Sequence, residues 1–230
     1  MREIDMAVPA ASLSAQRAGA IVTVRGEGGG EYRARIVRVA GERALVRIFE
    51  ELHFPSESPL SITLLQALPK KERMELIIQK ATELGVSEIV PCVSERSVVL
   101  GDVGSAEDKS HRWPAIARRA VEQCRRRVAP SLSPCLTFRE AVESAGCGEG
   151  LKLLLHEKEQ VVRLRSLGAS VGPVGRVVIT CGPEGGFTDE EVGFARERGF
   201  VAVRLGGRVL RCETAVLAAL AVIQYQWGDL

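Results

Sequence analysis

Two glycine-punctuated loops near the carboxyl end, each set between an apolar strand-like run and a helix-like run, narrow the folds open to this chain more than any other feature. The first is Gly182-Pro183-Glu184-Gly185-Gly186, and the second lies within Leu205-Gly206-Gly207-Arg208-Val209-Leu210-Arg211-Cys212-Glu213-Thr214-Ala215. In an α/β sheet, glycine loops at the carboxyl ends of neighbouring strands let backbone N–H and C=O groups come close to a bound ligand. The pair predicts a layered α/β fold with a ligand pocket at one end of its sheet.

The flanks of both loops carry further signals. Val177 to Cys181 reads as a buried strand, and Thr188 followed three residues later by Glu191 is a capping box, so a helix starts just behind the first loop. Neither loop has the G-x-G-x-x-G spacing of a dinucleotide site or the G-K-[ST] of a phosphate loop, which disfavours a nucleoside triphosphate and a Rossmann dehydrogenase. In the second loop Arg208, Arg211 and Glu213 place three charges between buried elements, an arrangement that is costly unless they pair or face a ligand. Ala215 to Ile223 is apolar nearly all round if helical, and must be covered on most sides by the core or by a second copy.

Upstream the rhythm changes twice. Ile21 to Val24, Tyr32 to Val39 and Ala44 to Phe49 read as strands of a small antiparallel domain, with the arginines of the middle strand expected on a solvated face. A Ser/Pro/Glu-rich linker from Pro55 to Pro59 precedes a strand at Ile62 to Leu68. Lys70 to Leu84 has helical spacing with Gly85 as its carboxyl cap, Ser87 to Val93 reads as a strand, and Trp113 to Arg127 as a second helix. Leu151 to His156 and Val201 to Leu205 add short buried strands with helices between, which implies a mostly parallel sheet.

With 230 residues and 46% hydrophobic content, the chain can bury a proper core. Its six cysteines form no C-x-x-C pair and sit mostly in apolar runs, so neither zinc nor a disulfide framework is indicated. With three histidines in the chain, His156 reads as a pocket wall and no metal site is expected. No apolar run spans a bilayer and the start has no signal core, so a cytoplasmic protein without membrane contact is expected. A net charge of +2 does not by itself mark a nucleic-acid binder. Its arginines nevertheless cluster: Arg118, Arg119, Arg125, Arg126 and Arg127 share one predicted helix with Glu122 against them, which suits either a solvated face or RNA phosphates.

The two loop motifs, together with Lys80-Ala81-Thr82-Glu83-Leu84-Gly85-Val86, Ser94-Glu95-Arg96-Ser97 and Glu122-Gln123-Cys124-Arg125-Arg126, closely resemble the RsmE family of the SPOUT superfamily, from about Leu60 to Leu230. The resemblance implies a methyltransferase that uses S-adenosylmethionine to methylate N3 of one uridine in 16S ribosomal RNA of the small subunit. It implies a homodimer whose last helix forms the contact, and a trefoil knot in the mostly parallel sheet, an exception to the rule of unknotted chains. A small PUA-like β-barrel that binds RNA is expected over residues 1–58, and the methyltransferase domain over residues 59–230. The amino-terminal His-His-Leu…Val-Leu-Arg segment of such proteins is missing, so the barrel is expected to be shortened or altered.

Carried over by motif, the cofactor pocket takes in Leu155, His156, Gly182, Pro183, Glu184, Gly185, Gly186, Leu205, Gly206, Leu210, Arg211, Thr214 and Ala215. Arg208 and Arg211 are the candidates to stabilise charge on the uracil carbonyls, and Glu213 is the candidate proton acceptor or an arginine's partner. The resemblance turns the basic helix toward RNA through Arg118, Arg119, Arg125 and Arg126, with Arg96 added to that surface. Ribose 2′-O-methylation by a related enzyme and a non-catalytic ribosome-binding role remain the alternatives.

Overall fold

Strand β5 (Ser61–Ala67) is buried on both faces, Ser61 alone being exposed, and its near-continuous apolar run is the mark of a central parallel strand. In the computed structural model, which describes residues 2–7, 17–26, 28–40, 43–69, 73–97, 110–146 and 148–230, β5 lies between β10 (Arg176–Cys181) and β6 (Glu88–Val93). The sheet continues through β9 (Leu151–Leu155) to β11 (Val201–Val203) on one side and to the short β7 (Ser131–Leu132) and β8 (Leu136–Thr137) on the other. Every pairing in it is parallel.

Among the described residues six helices cover the two faces: α1 (Arg73–Glu83), α2 (Trp113–Cys124), α3 (Phe138–Gly146), α4 (Leu164–Ser170), α5 (Asp189–Glu197) and α6 (Cys212–Trp227). Alternation along β5 assigns the faces. Ile62 and Leu64 pack with Met74, Ile77 and Ile78 of α1 and Val216, Leu220 and Ile223 of α6. Leu65 and Ala67 pack with Phe138 and Val142 of α3 and Val192 and Ala195 of α5. Helix α1 stops where the glycine signal placed its end: Gly85 has φ +80°, its N–H bonds to the Thr82 carbonyl, and Val86 N–H bonds to the Ala81 carbonyl. Gln224 then ties the end of α6 to this turn, its amide donating to the Leu84 carbonyl (2.8 Å) and accepting from Ser58 Oγ (2.9 Å).

The chain divides into two compact units, Met1–Glu57 with Arg118–Ala129, and Ser58–Ala117 with Pro130–Leu230. The smaller holds an antiparallel sheet in the order β1-β4-β3-β2, made of β1 (Arg2–Ala7), β2 (Ile21–Arg25), β3 (Glu31–Ala40) and β4 (Arg43–Leu52). Strand β1 was not anticipated, because the run of charge in Arg-Glu-Ile-Asp conceals a strand that exists by pairing with β4. The solvated arginine face of β3 also needs correction. Register shifts at Arg33/Ala34 and Ile36/Arg38 break the alternation, so Arg33 is buried beside Ala34, while Arg35 and Arg38 stay exposed. Arg33 donates to Thr23 Oγ1 (2.8 Å), which in turn donates to the Arg125 carbonyl (2.8 Å).

Helix α2 ends at Cys124, three residues short of the predicted Arg127, since Arg125 takes the left-handed φ of 67°. That turn leads the chain into a cluster of ion pairs centred on Glu57. Glu57 Oε2 accepts from Arg126 Nη2 (2.8 Å) and Nε (3.1 Å), and Oε1 accepts the backbone N–H groups of Arg127 (2.7 Å) and Val128 (2.9 Å). Glu31 accepts from Ser56 N–H (2.8 Å) and faces Arg127 Nε at 3.5 Å. Glu57→Ala removes the carboxylate that pairs with a buried guanidinium and accepts from two backbone N–H groups, so it should destabilise the smaller unit by about 3 kcal/mol in denaturant unfolding. Burial alone would raise the Glu31 carboxyl, but the hydrogen bond from Ser56 and the Arg127 charge outweigh it and hold the group below its ordinary value. Its stabilisation is therefore complete above the unfolded value and is lost as pH falls through the lower folded one. An acid titration of Glu31→Gln should show a shallower loss of stability below pH 4.5 than the parent chain.

Candidate active site

The register of the parallel sheet brings three loops to one level. Leu154 pairs with Thr180 and with Ala202, so the chain leaves β9 at His156, β10 at Gly182 and β11 at Arg204, side by side at the carboxyl edge. Between them lies a cleft of about 370 Å³ in the larger unit. Its apolar wall includes Leu155, Val203, Leu205, Val209 and Leu210, and its polar rim Glu157, Glu184, Arg204, Arg208 and Arg211.

Each loop is built for close approach. Gly186 has φ +69°, a conformation that β-carbons disfavour, and a Cβ there would stand 3.0 Å from the Glu157 carboxylate. The turn closes with Gly186 N–H on the Pro183 carbonyl (3.0 Å). The capping box behind it is complete: Thr188 Oγ1 accepts from Glu191 N–H, and the Glu191 carboxylate accepts from Thr188 N–H (2.9 Å) and from Glu95 N–H (2.9 Å). Arg204 is held from the segment after β9, its N–H on the Val162 carbonyl (3.0 Å) and its carbonyl accepting from Leu164 N–H (3.0 Å).

His156 is the group that most needs a partner. Its side chain is only 8% exposed, it lines the cleft, and neither ring nitrogen has a hydrogen bond. A buried imidazole with both nitrogens unmet costs desolvation that a polar ligand would repay. Among the described residues no group of three His, Cys, Asp or Glu side chains is placed to hold a metal ion. Cys212 is no nucleophile, because burial and the charges of Glu184 and Glu213 push its thiol up to about 12. Cys92 and Cys181 are buried, and that burial raises their thiols as well.

The structure gathers most of the residues picked from the sequence. Leu155, His156, Gly182, Pro183, Glu184, Gly185, Gly186, Leu205, Gly206, Arg208, Leu210, Arg211 and Ala215 all line the cleft. Thr214 does not: it is exposed in the first turn of α6 and is not part of the cleft wall. Glu213 does not line the cleft either, its Oε2 lying 3.6 Å from Arg73 Nε. Arg73 is the residue that sequence reasoning missed. It opens α1 more than 100 positions before the loops, lines the cleft, and donates from Nη1 to Glu184 Oε1 (2.8 Å).

The arginines assigned to RNA separate. Arg118 and Arg119 are exposed on α2, and Arg125 is exposed with a long ion pair to Glu50 (3.6 Å). Arg126 is buried against Glu57 and is thereby withdrawn from any phosphate-facing surface. Arg96, in the larger unit, donates to the carbonyls of Gly185 (3.0 Å) and Phe187 (3.5 Å). No helix among the described residues is long and apolar enough to cross a membrane.

Residues 56–224 match the family model described as an RNA methyltransferase domain. The chain is 38% identical over 201 residues to ribosomal RNA small subunit methyltransferase E of a Synechocystis strain, spanning 85% of this chain and 63%, under two thirds, of that protein. It is 32% identical to the Bacillus subtilis protein of the same name, over 86% of this chain and 78% of that one. A crystal structure of ribosomal RNA small subunit methyltransferase E from Neisseria gonorrhoeae bound to S-adenosyl methionine superposes with a TM-score of 0.73 at 34% identity, covering 100% of this chain and 94% of that chain. With a family model covering most of its length and a fold shared end to end with such a relative, the chain belongs to the RsmE family of RNA methyltransferases.

Proposed function

We propose that this protein transfers a methyl group from S-adenosylmethionine to N3 of a uridine in the 16S ribosomal RNA of the small subunit. The observation that carries the proposal is the cleft itself: two glycine-rich loops and the chain leaving β9, all at the carboxyl edge of the sheet, enclose a buried histidine whose ring nitrogens lack partners. These residues fit the cofactor. Leu155, Leu205 and Leu210 offer apolar surface for a purine, Gly182 to Gly186 and Gly206 offer backbone, and a Cβ at Gly206 would meet nothing within 4 Å. Ala215 closes the wall at the first turn of α6.

When bound, S-adenosylmethionine supplies an electrophilic methyl group on a sulfonium. The protein's part is placement and exclusion of water, which account for much of the acceleration in such transfers. Uracil N3 faces its pairing partner in a duplex, so the base must enter unpaired or flipped, and it must lose its N3 proton. Arg208 and Arg211 line the cleft with no side-chain partner among the described residues, and both are free to meet the negative charge that then spreads to the flanking carbonyls. The 3.6 Å approach of Glu213 to Arg73, and its absence from the cleft wall, favour a role as that arginine's partner over that of proton acceptor.

RNA is held, in the same proposal, by Arg118, Arg119 and Arg125, whose exposed guanidinium groups suit phosphate contacts that weaken as salt rises. The small antiparallel unit is the shortened PUA-like domain, and the knot is formed where the segment after β9 interlaces with Arg204. The two backbone bonds across Arg204 support that knot. A homodimer is supported by α6, where Leu217, Ala218 and Ala221 form a half-buried apolar face away from the one packed on the sheet. A cytoplasmic site of action follows from a ribosomal substrate.

Calorimetric titration with S-adenosylmethionine should show binding, and nucleoside mass mapping of small-subunit RNA incubated with protein and cofactor should show 3-methyluridine. A 2′-O-methylated nucleoside in its place would overturn the assignment to N3, and absence of cofactor binding would overturn the enzymatic role. Gly186→Ala forces a β-carbon into a left-handed backbone and toward Glu157. It should raise the cofactor Kd roughly tenfold, measured by the same titration.

A further inference from the structure

The loop from Gly182 to Gly186 has an arginine bonded to it from each of two other elements. Arg73, at the start of α1, reaches Glu184 Oε1 at 2.8 Å and stands 3.6 Å from Glu213 Oε2, so one guanidinium links the first glycine loop to the start of α6. Both side chains of the shorter pair are only about a quarter exposed, at 29% and 24%. On the other flank, Arg96 donates to the Gly185 and Phe187 carbonyls. Its stem lies against Gly185 closely enough that a Cβ there would stand 3.0 Å from Arg96 Cβ.

Arg96 is itself held in place. The Ser94-Glu95-Arg96-Ser97 turn is closed by Ser97 N–H on the Ser94 carbonyl (3.0 Å) and by Ser94 N–H on Ser97 Oγ (3.0 Å). Glu95 N–H then bonds the Glu191 carboxylate, the same group that caps α5 behind the loop. A glycine-rich loop has many backbone states to lose on binding, and fixing it beforehand lowers that entropic cost.

We infer that Arg73 and Arg96 are positioning residues that hold the Gly182–Gly186 loop in the shape that receives the cofactor. The inference rests on the cofactor assignment of the cleft given above, and it moves Arg96 from the RNA surface to the cofactor loop. Neither guanidinium need touch the reacting atoms. Arg73 acts through a carboxylate and Arg96 through two backbone carbonyls.

The test is calorimetry with S-adenosylmethionine on the parent chain and on Arg73→Gln, Arg73→Lys, Arg96→Gln and Glu184→Gln, beside steady-state kinetics on small-subunit RNA. Arg73→Gln and Arg96→Gln should each raise the cofactor Kd roughly tenfold while kcat at saturating cofactor and KM for RNA stay within about twofold, and Glu184→Gln should raise the Kd by a similar factor. Arg73→Lys keeps a cation for Glu184 and should recover part of the loss. Arg73→Gln combined with Glu184→Gln should lose less than the sum of the two single changes. Unchanged cofactor Kd in both arginine variants would overturn the inference. A raised KM for RNA with unchanged Kd in Arg96→Gln would return Arg96 to the RNA surface. A kcat that falls as the Kd rises and is not rescued by lysine would make the role of Arg73 structural. Failure of the parent chain to bind the cofactor would instead overturn the assignment on which the inference stands.

Discussion

Burial of β5 and β10 on both faces is the constraint on which the rest of the larger unit depends. Their register, Arg176 beside Ser61 through Cys181 beside Gln66, leaves no polar edge in the middle of the sheet and requires helices on each side. Parallel strands must be joined by crossovers, so every loop that follows a strand emerges at the same edge. The cleft is a consequence of that arithmetic: three strand ends at one level, and chain that must turn away from all of them.

The turns themselves are costly, and the sequence shows how the cost is met. Glycine at 186 accepts a left-handed backbone, the Glu191 carboxylate satisfies N–H groups of both the capping box and the Ser94–Ser97 turn, and Arg73 neutralises carboxylates that come from two distant segments. Charges at a buried strand edge are tolerated because each has an opposite charge or a carbonyl within reach. The exceptions are informative. His156 is buried without partners, and Arg208 and Arg211 have none among the described residues, which leaves the cleft with polar capacity directed at something other than the protein. In the smaller unit the same logic gives the opposite result, because Arg126 is buried and paired with Glu57.

Much of this is legible in the sequence. The capping box at Thr188 and Glu191, the helix stop at Gly85, the parallel strands and the membership of the two glycine loops in one pocket all follow from local signals whose partners lie within a few residues, or from motifs read as a block. The errors share one cause. Arg33 was placed on the solvated face of β3 because alternation was assumed unbroken, and the register shifts that break it are set by pairing with β4. Arg126 and Arg96 looked like free cations because their acceptors, Glu57 and the Gly185 carbonyl, are 69 and 89 positions away. Arg73 was overlooked for the same reason, its acceptor being 111 positions distant.

By itself, then, the sequence determined the class of the fold, the places where the chain turns and the identity of the loops that line the cleft, since hydrophobic period, caps and glycine conformations act over a turn or two of backbone. Which arginine meets which carboxylate, which side of α6 turns inward and whether a cation points to solvent or to the core were decided only by the tertiary structure. Those outcomes depend on distances between segments far apart in the chain, and electrostatic and hydrogen-bond energies are set by distance and burial, not by sequence position.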